Sequence, residues 1–185
     1  MAFLAIAPSG VFAADVSPYA MEIKGIGVPA TVEIAGKKLV LNGAGLRTKM
    51  IFKVYVGALF LERKTSSAAE IISQDKARRM ELTFLRNLDS GAITDAVEKG
   101  FARNPAFPKK ELDARLANFR KLIADLKKSD RLSFTYVPGE GLDISCNGKS
   151  VGSVPGKDFA DALFAVWLGD SPADKNLRRA LLDVK

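Results

Sequence analysis

Apolar and polar side chains alternate through the first half of this chain from Tyr19 onward, and helical spacing appears only later. Short strands are predicted around Tyr19–Lys24, Ala30–Ile34 and Lys38–Asn42, with Ala35-Gly36 and Asn42-Gly43 as turns. A longer strand, rich in β-branched and aromatic residues, follows from about Ile51 to Arg63. Ser67–Ile72 reads as a short helix and Arg79–Leu85 as a strand. The period then changes to 3.6. Residues Ser90–Arg103 put Ile93, Ala96, Val97, Gly100 and Phe101 on one helical face behind Asp89, a suitable N-cap. Residues Lys109–Lys127 put Leu112, Leu116, Phe119, Leu122, Ile123 and Leu126 on one stripe.

The last block returns to strands at Arg131–Val137, Leu142–Asn147 and Ser150–Val154. They are joined by the turns Pro138-Gly139-Glu140-Gly141 and Asn147-Gly148. Pro155-Gly156 introduces a helix with Phe159, Leu163, Val166 and Trp167 on one side, and a short helix over Asp174–Leu182 closes the chain. Strands, then helices, then strands and helices again predict an α+β fold, a largely antiparallel sheet covered by helices.

A chain of 185 residues with 48% hydrophobic residues can bury roughly two-thirds of its unfolded surface, enough for one self-sufficient core. We expect a single domain over residues 15–185. Residues 1–14, MAFLAIAPSGVFAA, are apolar and uncharged, and Val11-Phe12-Ala13 has the form of a cleavage site. They read as a signal peptide lacking its basic start, and hence as export to a periplasm or beyond. That run is far short of the ~20 apolar residues of a transmembrane helix.

The formal charge of +7 is scattered in pairs such as Lys109-Lys110, Lys127-Lys128 and Arg178-Arg179. Nucleic-acid binding, which asks for a continuous basic face with stacking aromatics, is not expected. With no histidine and one cysteine there is no imidazole base, no Ser-His-Asp or Cys-His system and no thiolate metal site. Cys146 falls in the apolar set of its strand and reads as a core thiol. No cofactor is assigned.

What remains is Arg47 with Tyr55. Gly43-Ala44-Gly45 reads as a tight turn delivering Arg47 to the start of the long strand that carries Tyr55. A guanidinium fork and a phenol can together hold a carboxylate or an oxyanion. The plainer reading is an arginine ion-paired to a nearby acid and a tyrosine packed in the sheet.

The segments GAGLR and KVYVGALFLE resemble the chalcone isomerase superfamily, and the likeness extends loosely from Lys38 to the C-terminus. The resemblance implies an open-faced β-sandwich with helices over the sheet, and an arginine, here Arg47, that lines a ligand cleft. True isomerases of that family also use a threonine on the long strand and a tyrosine and an asparagine on the first covering helix. Here those positions fall at Tyr55, near Ala92 or Ile93, and near Gly100. Arg47 followed by Tyr55 is more similar to the plant fatty-acid-binding branch. The resemblance therefore implies a non-catalytic protein that holds a small amphipathic molecule such as a fatty acid at Arg47 and Tyr55. One alternative is an intramolecular lyase acting on a conjugated ketone, and a second is an accessory protein with a degenerate cleft.

The reading of residues 1–14 makes an expectation of its own. N-terminal sequencing of the protein from its host should find a chain cut after Ala13, and an intact cytoplasmic N-terminus would remove the export reading.

Overall fold

The computed structural model describes residues 19–104, 106–107 and 109–184; the export segment lies outside them. Strands β1 (Tyr19–Ile23) and β2 (Ile26–Pro29) form a separate hairpin. The main sheet has seven strands: β3 (Thr31–Ile34), β4 (Lys37–Lys49), β5 (Phe52–Leu61), β6 (Arg78–Phe84), β7 (Arg131–Val137), β8 (Gly141–Cys146) and β9 (Lys149–Val154). They lie in chain order and every pairing is antiparallel. Helix α1 (Ala68–Ser73) precedes β6. Helices α2 (Ser90–Ala102) and α3 (Lys109–Leu122) are inserted between β6 and β7, and α4 (Lys157–Leu168) and α5 (Lys175–Leu181) follow β9. The α+β expectation holds: a curled antiparallel sheet with helices on its inner face.

The period-2 pattern divides the sheet cleanly. Leu59, Met80, Leu82, Phe134, Leu142 and Ile144 point inward to the helices and are at most 2% exposed. Helix α4 is apolar nearly all round, as a helix must be when it lies inside a core rather than on it; only Lys157, Asp158 and Asp161 escape full burial. Phe119 and Phe159, and Phe134 and Trp167, pack with ring centroids 6.0 and 5.8 Å apart. On the outer face a second apolar cluster of Leu39, Leu41, Val56, Ala58 and Phe60 is joined by Ile23, Ile26 and Val28 of the β1–β2 hairpin.

One residue buried on the inner face of β6 is a cation. Arg78 is 1% exposed; its Nη1 donates to the carbonyls of Ile71 and Gln74, both at 3.0 Å, and its Nη2 donates to Asp161. Its guanidinium stacks over Tyr136 and Phe164, 4.7 and 4.9 Å from the ring centres. It ties α1, β6 and α4 together.

Several expectations are corrected. Asn42-Gly43 is not a turn: β4 runs straight through it, with a bulge between Leu41 and Gly43, and the chain reverses at Met50-Ile51 instead. The predicted helix over Lys109–Lys127 ends at Leu122. Ile123 and Leu126 stay buried in extended chain, where Leu126 pairs with Leu88. Strand β2 lay unassigned between two predicted strands. Cys146 faces the core but is only half-buried, at its edge.

The Gly-Ala-Gly segment has a different purpose from the one its composition signals. Neither Gly43 nor Gly45 takes a left-handed backbone; both are extended and lie under α5. A Cβ on Gly43 would stand 2.2 Å from the carbonyl oxygen of Ala180, and one on Gly45 would stand 2.5 Å from the Ala180 Cβ. The bulge also turns Asn42 toward α5, so that its Nδ2 donates to the Leu181 carbonyl at 2.8 Å while its Oδ1 accepts from Thr65 N–H at 2.9 Å. Bare backbone is therefore what α5 docks on. Because the nearest atoms to the missing Cβ belong to backbone, Gly43→Ala should cost the ~1–3 kcal/mol typical of overpacking, read as a lowered urea midpoint; an unchanged midpoint would mean that α5 moves aside freely.

Candidate functional site

Arg47 and Tyr55 are register partners across β4 and β5. Partners directly opposite share a face of the sheet, with Cβ atoms about 4.5–5.5 Å apart, and this face is the inner one. The bulge at Asn42 sets this parity: without its extra residue Arg47 would point outward. Both side chains line a cavity of about 140 Å³ between the sheet and helices α2 and α4. Its remaining wall is largely apolar, from Leu82, Phe84 and Phe134 of the sheet, Ala92, Ile93, Ala96 and Val97 of α2, and Val166 and Trp167 of α4. Lys49, at the end of β4, also borders it.

Arg47 is already engaged. Its Nη1 donates to the Thr48 carbonyl at 2.9 Å and to Asp174 Oδ2 at 3.0 Å. Asp174 is the N-cap of α5: its Oδ1 accepts from the N–H groups of Asn176 and Leu177 at 2.8 and 3.1 Å, and its Oδ2 also accepts from Thr48 N–H. Burial alone would raise the Asp174 pKa. The Leu177 N–H, the Arg47 guanidinium and the Asn176 N–H outweigh burial and hold it below the usual carboxylate value. Both Arg47 bonds leave from Nη1, one nitrogen of a group with five N–H donors.

Tyr55 is held from the opposite side. Trp167 Nε1 donates to its hydroxyl oxygen at 2.8 Å, and its ring meets Phe84 edge-on at 5.6 Å. Burial raises the Tyr55 pKa, more than the Trp167 N–H and the Arg47 charge lower it, so the phenol keeps its proton at neutral pH. With one lone pair taken by the indole, the hydroxyl still has its proton to donate. The site thus offers the Arg47 cation shared with Asp174, a second cation, Lys49, at its border, one neutral O–H donor and a largely apolar shell. Among the described residues no group of three or more His, Cys, Asp or Glu side chains could hold a metal ion, and no helix is long and apolar enough to cross a membrane.

Both sequence-derived candidates therefore border one cavity, and the plainer reading of Arg47 also describes what is seen, since it is ion-paired. Trp167 and Asp174 were not among the candidates. The sequence pattern places Trp167 only on an apolar helix face. Asp174 carried a signal, an acid at the start of a predicted helix, but nothing local linked it to an arginine 127 positions away.

An all-antiparallel sheet curled around helices, with a small, mostly apolar cavity bordered by Arg47 and Tyr55, defines an α+β protein of this plan. A family model described as chalcone isomerase-like matches residues 20–183, and the chain belongs to that family. Among solved structures, a fatty-acid binding protein of Arabidopsis thaliana is similar, with a TM-score of 0.70 and 20% identity over 86% of this chain and 92% of that one. At that identity the likeness is one of fold. No curated protein matches the sequence.

Asp174 makes the site titratable. Its depressed folded pKa contributes stability that is present above the unfolded value of about 3.9 and is lost as pH falls through the folded value. Asp174→Asn, which can still cap the helix, should lose that acid-range dependence. Asp174→Ala should in addition lose the ~0.5–2 kcal/mol of an N-cap. Urea titrations at neutral and acid pH check both; identical acid limbs in wild type and Asp174→Asn would mean that the pair adds nothing.

Proposed function

We propose that this protein binds a small apolar molecule with a carboxylate head, held at Arg47 and Tyr55, without chemically altering it. The observation that carries the reading is the pairing of these two donors, register partners on one face, at the wall of a mostly apolar cavity that Lys49 also borders. A carboxylate there would take N–H donors of Arg47 beyond those used by Thr48 and Asp174, together with the Tyr55 O–H. The hydrocarbon portion would lie against Phe84, Ile93, Val97 and Val166. The fatty-acid binding protein that shares the fold makes fatty acids the first class to test.

Two features shape the expectation. A dry cavity of about 150 Å³ takes a benzene-sized group, so one of about 140 Å³ fits a carboxylate with its first few methylenes; the rest of a longer chain would extend beyond it. Asp174 lies beside the guanidinium, so an incoming anion meets a charge already partly neutralised. The lyase alternative is weakened by the α2 wall, where Ala92, Ile93, Ala96 and Val97 present hydrocarbon to the cavity.

Calorimetric titration with octanoic, dodecanoic and hexadecanoic acids tests the reading. Arg47→Ala should weaken binding by about ten- to a few hundredfold, below the upper range for a broken interfacial charge pair because Asp174 already shares the cation. Tyr55→Phe should cost less, since it removes one neutral donor. Asp174→Asn should strengthen binding by removing the competing anion. Equal binding by all four proteins would make Arg47 a purely structural arginine, and an absence of binding with no lipid retained on purification would favour the accessory reading. Chalcone cyclisation that is accelerated by several powers of ten and lost in Arg47→Ala would make the protein an enzyme.

A further inference from the structure

The hairpin between β4 and β5 ends in the sequence Lys49-Met50-Ile51-Phe52-Lys53, which carries the two most exposed large apolar side chains among the described residues. Met50 is 89% exposed, Ile51 85% and Phe52 51%. Single exposed apolar residues are ordinary, but three in succession at the tip of a hairpin are not. The turn is also built against backbone preference. Met50 has a φ of 55°, in the left-handed region that glycine or asparagine occupies at least cost, and the next position holds a β-branched isoleucine. Local backbone stability is given up at a place where apolar side chains face water.

Cations collar that tip. Lys49 and Lys53 flank it in sequence, and Arg86, on the segment after β6, stacks its guanidinium over the Phe52 ring at 4.7 Å. Lys24, at the turn of the β1–β2 hairpin, comes up beside Lys53 and lowers its pKa, two like charges that an anion between them would relieve. Long basic side chains around an apolar point match the boundary of a bilayer, where hydrocarbon enters the acyl region and the charged heads stay at the level of the phosphates. The tip also adjoins the cavity, because Lys49 and Val54 are in its wall.

We propose that the β4–β5 tip docks this protein on an anionic lipid surface, with Met50, Ile51 and Phe52 entering the interface and Lys24, Lys49, Lys53 and Arg86 meeting lipid phosphates. The inference stands on the tip alone and does not need the cavity to be occupied. Docked in this way, the protein holds the cavity wall at the membrane, the surface from which an amphipathic molecule would be taken or to which it would be returned.

Co-sedimentation of the full chain with phosphatidylcholine vesicles, with and without phosphatidylglycerol, tests this. Wild type should partition onto the anionic vesicles, more weakly onto neutral ones, and less as salt shortens the screening length. The variant carrying Met50→Ser, Ile51→Ser and Phe52→Ser should lose at least about tenfold in partition, a conservative figure for three apolar side chains. The Lys24→Ser, Lys53→Ser pair should lose roughly fivefold per lysine, the ratio that corresponds to one basic residue at an anionic surface. All these proteins carry the same residues 1–18, so the differences belong to the tip. Retained fatty-acid binding in the tip variants, if the cavity reading holds, and unchanged circular dichroism show that they fold. Arg47→Ala should still sediment with vesicles, which separates a failure of this inference from a failure of the cavity reading. The proposal is overturned by tip variants that partition as wild type does, by equal partition onto neutral and anionic vesicles, or by tip-dependent dimers in sedimentation velocity without vesicle binding.

Discussion

The close approach of α5 to bare backbone on β4 is the constraint on which the site depends. Three sequence features converge on it. Gly43 and Gly45 remove the side chains that would hold the helix off. The bulge at Asn42 supplies an amide that bonds the Leu181 carbonyl at the far end of α5, and the N-cap Asp174 reaches Arg47 at the near end. A helix of only seven residues has little stability of its own. Fixed at both ends, it is a rigid strap, and Arg47 is oriented by the same carboxylate that starts the helix.

The molecule contains two inward arginines with opposite fates. Arg78 is enclosed by carbonyls, a carboxylate and two aromatic faces, so its charge is consumed in joining elements. Removing one partner of such a buried pair is costly because the other is stranded. Arg47 keeps a side chain about 20% exposed at a cavity wall, and its bonds to Thr48 and Asp174 both leave from one nitrogen. Residue type is the same in both. Enclosure decides how much of each guanidinium is committed to the protein.

Most of the element order was legible in the sequence because period 2 and period 3.6 are local signals, strong in β7, α2 and the first half of α3, while β5 stands out as a β-branched and aromatic run buried on both faces. The errors share a cause. The glycines of β4 signal a turn by composition, whereas here they mark contact with a helix about 135 residues later in the chain. The α3 stripe continued past Leu122 because Ile123 and Leu126 are buried for tertiary reasons, in phase with a helix that has already ended. Arg47 and Tyr55 could be named from sequence with the help of resemblance. Their partners Asp174 and Trp167 could not, since neither local pattern nor spacing encodes a contact across more than 100 positions.

The hydrogen bond from Trp167 to Tyr55 has an optical consequence. Trp167 is the chain's one tryptophan, it is 4% exposed, and its indole forms part of the cavity wall with its N–H on the phenol. Indole emission depends on the polarity and hydrogen bonding around the ring, and in this protein there is no second indole to dilute the signal. Whatever enters or leaves the cavity changes the surroundings of the single emitter, so the native protein carries its own spectroscopic gauge of occupancy, with no label and no substitution needed to read it.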